Sequence, residues 1–154
     1  MIRNAQVGDL PGIMRAGKRL QAMTPYKDLT PDVATVGGSL GHCINNAYGF
    51  AMVAVTKGEI TGFMLGAAMP LWFCRKRSAS DIVTYAENPG DGYKMIRAFV
   101  SWAWSIPGVV EITLAQSSGI DIERSAVLYE RIGLARVGSL FTAVRDVTAV
   151  EVAA

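Results

Sequence analysis

Apolar positions along this chain recur sometimes every third or fourth residue and sometimes every second, and the switches of period mark out its elements. Residues 2–6 read as a short edge strand. Leu10, Ile13, Met14, Gly17 and Gln21 follow at helical spacing, behind Asp9 as an N-cap and with Pro11 in the first turn. Thr30-Pro31 opens a second helix with Val33, Val36, Leu40 and Ile44 on one side. Gly37, Gly38 and Gly41 weaken it by about 1 kcal/mol each relative to Ala. Residues 50–56 and 60–65 are strand-like runs around Lys57-Gly58, which predicts a β-hairpin. Residues 69–73 prolong the second of these strands or leave it at Pro70, and residues 81–85 read as a third strand.

Asn88-Pro89-Gly90-Asp91-Gly92 punctuates the chain as a turn. From Tyr93 the helical period returns through Met95, Ile96, Phe99, Val100, Ala103 and Trp104, and Pro107-Gly108 stops it. Residues 109–115 form another strand and 117–119 a loop. Asp121 then caps a helix running to Ile132, with Gly133 where a left-handed C-cap favours glycine. Residues 136–144 are expected to form the last strand, and the tail from Asp146 to pair at an edge or fray. The order is β-α-α-β-β-β-α-β-α-β. The hairpin requires antiparallel neighbours and the later strand–helix alternation favours parallel ones. A single α/β domain over residues 1–154 follows, a mixed sheet with helices on both faces.

Composition narrows the function. The formal net charge of +2 gives no basis for binding nucleic acid or an anionic membrane. The one basic run, Arg75-Lys76-Arg77, reads first as a solvated loop. Hydrophobic residues make up 51% and charged residues 18%, so a generous core or a homodimer is expected. Cys43 and Cys74 form no CxxC pair and His42 is the only histidine, which gives no metal-ligand spacing. No GxSxG accompanies a serine that His42 could activate. No apolar run reaches the ~18 residues of a membrane span, and residues 1–5 show no leader h-region, so the expected location is the cytoplasm.

The informative unit is strand, glycine turn, helix, from Ile82 to Tyr93 and beyond. A helix N-terminus offers unpaired amides and the positive end of its dipole, and glycine lets a phosphate approach the backbone. Such a unit suits a pyrophosphate. It lacks the Gly-Lys-Ser/Thr of a P-loop, and it has two glycines where a dinucleotide fingerprint has three.

With this unit in place, the chain resembles the GCN5-related N-acetyltransferases (GNAT). That family carries Arg/Gln-x-x-Gly-x-Gly/Ala between its fourth strand and third helix. The matching stretch is Glu87-Asn88-Pro89-Gly90-Asp91-Gly92, with both glycines kept and Glu87 in the place of Arg or Gln. The family's last helix often ends Leu-Tyr-x-x-x-Gly-Phe. Here Leu128-Tyr129 is followed by Gly133-Leu134, and Ile122 stands where the family has Asn. The resemblance spans nearly the whole chain in element order, and residues 82–134 in motifs.

It implies transfer of an acetyl group from acetyl-CoA to an amine by direct attack in a ternary complex, without a metal. Amides of Ile82, Val83 and Thr84 would meet the acyl and pantetheine arm. Glu87, Asn88, Gly90, Asp91, Gly92, Tyr93 and Lys94 would surround the pyrophosphate, with Lys94 as a cation and Ser125 as a further polar contact. Tyr129 stands where the family's general acid stands. Glu59, Asp81, Glu87 and Glu111 are the candidates for the base, and position alone does not choose among them. Residues 23–29 and 71–77, with Trp72 and Phe73, are expected to wall the acceptor pocket. A small molecule or a protein could supply the amine; acylation of charged tRNA would require a basic face. The departures at Glu87 and Ile122 also fit a second reading, a GNAT-shaped structural or interaction module.

Overall fold

The computed structural model describes residues 1–116 and 118–144. Its elements are β1 (Ile2–Asn4), α1 (Leu10–Ala22), α2 (Val33–Asn45), β2 (Gly49–Thr56), β3 (Glu59–Pro70), β4 (Arg77–Ala86), α3 (Pro89–Ser105), β5 (Val109–Thr113) and α4 (Ile122–Arg131). The strands form one sheet in the order β1-β2-β3-β4-β5. The first three contacts are antiparallel, and β4 runs parallel to β5. This is the mixed α/β sheet the sequence predicts.

Each face of the sheet carries its own core. On one, Ile13 and Ala16 of α1 and Leu40 and Cys43 of α2 pack against Val53, Phe63 and Leu65. On the other, Met95, Ile96, Phe99 and Ala103 of α3 pack against Phe50, Ala54, Met64, Ala68 and Ala79, with Leu128 and Tyr129 of α4 at the margin. The spacing of the apolar residues decides this. Met95, Phe99 and Ala103 recur every four residues, so one stripe of α3 is dry.

Local chemistry sets several boundaries. Lys57 and Gly58 both have positive φ, 52° and 83°, which matches the twist of the β2–β3 hairpin. Asp32, not Thr30, caps α2, and its carboxylate accepts from the Thr35 amide at 2.6 Å. The α2 helix forms in spite of its glycines. Gly37 brings α1 close, since a Cβ there would lie 3.2 Å from Leu10. Asp9 does not cap α1 through its side chain. Its carboxylate instead takes both arms of Arg3 at 2.7 Å and the Gln6 amide at 2.8 Å. The bidentate, charge-assisted pair is the stronger use of that group.

Two expectations are corrected. The α3 helix starts at Pro89, not Tyr93. The glycine turn is its first turn: Asn88 caps it, Pro89 takes the position that has no amide to satisfy, and the glycines cost less there than mid-helix. Residues 136–144 form no strand. Val137 is 95% and Phe141 91% exposed, and none of these residues pairs with β5. Their strand-like composition brings no ladder hydrogen bonds by itself, and those need a partner edge. The tail from Asp146 lies outside the described residues.

Candidate active site

Strands β4 and β5 share only a short ladder, from Arg77 opposite Val109 to Ser80 opposite Thr113. Beyond it they part, and among the described residues no strand lies beside the outer edge of β4 from Asp81 to Ala86. On its other side β4 stays paired with β3, but with an irregularity: Gly66 stands opposite Asp81 and Leu65 opposite Val83. Ile82 is therefore an extra residue, a β-bulge. A bulge shifts the two-residue alternation by one. Hence Ala79 lies in the α3 core while Val83 and Tyr85, of the same parity, pack on the α1–α2 side. Ile82 itself is 56% exposed.

The parting strands open a cleft of about 980 Å³. It runs between the end of α1 with its following turn, the free edge of β4, the start of α3, and α4. Asp81 sits at the fork. One of its carboxylate oxygens accepts the Ala115 amide from beyond β5 and the other the Thr84 hydroxyl, both at 3.2 Å. Burial holds the Asp81 pKa above the usual carboxylate range against these two donors. Tyr129 also lines the cleft. Burial, and secondarily the Asp81 charge, push its phenol up to about 12, while the hydrogen-bonding Gln116 side chain pulls the other way. The Gln116 carbonyl oxygen is buried and has no partner among the described residues.

Of the residues expected around the cofactor, the cleft brings together Ile82, Val83, Thr84, Gly92, Tyr93 and Ser125, along with Tyr129. Glu87, Asn88, Gly90, Asp91 and Lys94 stand outside its lining, on the first turns of α3 or just before them. Asn88 satisfies the opening of that helix. Its side chain accepts from the Gly90 amide at 2.9 Å, and its carbonyl accepts from Asp91 at 3.0 Å and Gly92 at 3.1 Å. Glu87 pairs with Arg19 of α1 at 2.7 Å, and Arg19 also donates to the Ile60 carbonyl at 3.0 Å. The odd carboxylate of the motif is thereby neutralised and drawn toward α1.

Of the four carboxylates considered as a base, only Asp81 lines the cleft. Glu59 opens β3 and Glu111 lies on β5, both exposed. Residues 71–77 do not wall the pocket, contrary to expectation. They join β3 to the start of β4, at the opposite end of that strand from its free edge. Trp72 is 94% exposed there, and Arg77 lies 3.6 Å over the Tyr48 ring. The residues missed by sequence reasoning are Gln116, Arg124 and Arg131, all in the lining. Only helical spacing of Arg124, Leu128 and Arg131 on α4 hinted at the two cations. Among the described residues no cluster of His, Cys, Asp or Glu could hold a metal, and no helix is long and apolar enough to cross a membrane.

No family model matches the chain, and no curated protein does. Solved structures do. The chain is similar to an acetyltransferase of Trypanosoma brucei with a TM-score of 0.70 at 15% identity, over 94% of this chain and 99% of that one. It is similar to a ribosomal-protein-alanine N-acetyltransferase of Brucella melitensis, with a TM-score of 0.67 at 16% identity, over 94% and 99%. An aminoglycoside acetyltransferase from an uncultured soil metagenomic sample, in complex with sisomicin, gives 0.65 at 17% identity, over 94% and 96%. At these identities the likeness establishes an acetyltransferase fold, as the motifs imply.

Proposed function

We propose that this protein is an N-acetyltransferase that uses acetyl-CoA as acyl donor and an amine as acceptor, with the chemistry centred between Asp81 and Tyr129. The observation that carries this reading is the fork. It brings a free strand edge, a half-buried carboxylate and a half-buried phenol into one cleft. The likeness to acetyltransferases supports it.

The cleft suits the donor. Amides on the free edge of β4 are available to an extended amide-bearing arm, much as a strand pairs with a peptide. The start of α3 lies at one end, and Gly92 lies close on β4, since a Cβ there would sit 3.4 Å from Ala86. A phosphate group would take the place of the Asn88 side chain at the Gly90 amide. Arg124 and Arg131 supply positive charge from α4, a part the sequence assigned to Lys94. When bound, the donor supplies a thioester carbonyl activated for attack.

Asp81 is the base. Its raised pKa makes it a better proton acceptor than an ordinary carboxylate, and it takes the proton of the incoming ammonium. Tyr129 is the acid. At a pKa near 12 its phenol stays protonated at every physiological pH, so it always offers a donor to the leaving sulfur. The desolvation that raises the phenol also raises a thiol held beside it, which narrows the mismatch between the two. Free amides at the fork stabilise the oxygen that gains charge.

Titration with acetyl-CoA by calorimetry, with an unrelated nucleotide as control, tests the reading. Micromolar affinity is expected. Absence of binding at millimolar ligand in folded protein would overturn it and favour the structural-module reading. Asp81→Asn makes a further test. It should lower kcat/KM about 100-fold and leave only the acidic limb set by the acceptor's own ammonium. It should also raise the Tm at neutral pH. Because the folded-state pKa of Asp81 lies above the unfolded one, protonation favours the folded state. Ionisation therefore costs stability as pH rises from the unfolded pKa through the folded one, and the amide removes that cost. A wild-type pH–rate profile retained by the variant would exclude Asp81 as the base.

A further inference from the structure

The cleft has two unlike walls. Its α4 side carries charge, from Asp121, Arg124 and Arg131. On its α1 side stand Leu20, Met23 and Tyr26, with only the uncharged Gln21 and Thr24 between them. The Thr24 hydroxyl and the Gln21 side-chain amide group on this second wall are used internally. The Thr24 hydroxyl donates to the Gln21 carbonyl at 2.8 Å and accepts the Tyr26 amide at 3.2 Å. The Gln21 side-chain amide donates to the carbonyls of Tyr26 at 2.6 Å and Leu29 at 2.5 Å. These bonds hold the turn in shape and leave apolar surface facing the cleft. Met23 and Tyr26 are exposed apolar side chains, and Ile82 extends their surface beside Asp81. Asp81 is the single charge at the fork.

Resting on the acyl-transfer reading, we infer that the acceptor is a primary amine with one positive charge and an aromatic or aliphatic body. Its ammonium meets Asp81 and its body lies on Leu20, Met23 and Tyr26. A polycation fits this wall poorly. Each further ammonium would lose hydration on the α1 wall, which offers it no carboxylate. The wall thus distinguishes this chain from what an aminoglycoside or a polyamine would need. Its turn is held in place before any ligand arrives, which lowers the ordering cost of binding.

The test follows release of the CoA thiol from acetyl-CoA with phenethylamine and hexylamine against spermidine and sisomicin. The monoamines are expected to show a kcat/KM at least tenfold above the polycations. Met23→Glu places a carboxylate on the wall. It should lower kcat/KM for phenethylamine about tenfold and raise it for spermidine, with the acetyl-CoA Kd unchanged by calorimetry. Gln21→Ala, which frees the turn, should raise KM for phenethylamine more than it changes kcat. Preference for spermidine or sisomicin would overturn the inference. So would protein that binds acetyl-CoA but turns over neither monoamine, or a Met23→Glu variant that treats both amines as the wild type does. Loss of acetyl-CoA binding by the wild type would instead remove the acyl-transfer reading beneath it.

Discussion

Tyr129→Phe is expected to lower kcat by about 10²–10³-fold while leaving the acetyl-CoA Kd within twofold. The change deletes one oxygen from a side chain that is half-buried between the α3 core and the cleft. Packing is retained and only the proton donor is lost. Steady-state kinetics with calorimetry separates the two effects: a fall in kcat without a fall in affinity is the mark of a group that acts on the reacting atoms. The pH dependence adds an independent check. A phenol raised to about 12 gives no basic limb, so the wild-type rate should rise along its acidic limb and show no fall on the basic side up to about pH 10. An undiminished kcat in the variant would move the acid role to another group in the cleft.

Phe99→Ala is expected to cost about 3–5 kcal/mol of stability, a large share of what a domain of this size has. Phe99 is fully buried. It meets Phe50 edge to face at 5.3 Å and Trp102 at 5.4 Å. Gly66 lies directly beneath it, and a Cβ at that glycine would come within 2.5 Å of the ring. Gly66 is also the residue opposite Asp81, so the ring supports the strand pair at the point where the fork opens. Urea denaturation should show a lower midpoint with an unchanged slope. A loss below 2 kcal/mol would mean that the neighbouring aromatics close the cavity.

The two predictions differ in how far the sequence alone could carry them. Phe99 was legible as core because Met95, Phe99 and Ala103 repeat at helical spacing. Tyr129 was legible as a candidate because Leu128-Tyr129 and Gly133 match a family motif. The hairpin at Lys57-Gly58 was legible because Gly58 takes the positive φ of its turn without steric cost, a local requirement that glycine meets. Asp81 was visible only as one carboxylate among four. Its partner Ala115 lies 34 residues away, and nothing local records that an amide from beyond β5 closes on it.

Most element types, the two motifs and the apolar stripes depend on a few neighbouring residues, so they could be read from the chain without its fold. The tertiary structure alone decided the rest. The bulge at Ile82 reverses which residues of β4 face α3, and only pairing with β3 creates it. The Arg19–Glu87 pair turns an unfavourable carboxylate into a tie between α1 and the end of β4. Residues 136–144 have the composition of a strand but no ladder beside them, and residues 71–77 sit at the opposite end of β4 from the site they were expected to line. Each of these depends on which distant backbone or side chain arrives opposite. Such contacts are set by the packing of two cores on one sheet, and no short-range pattern encodes them.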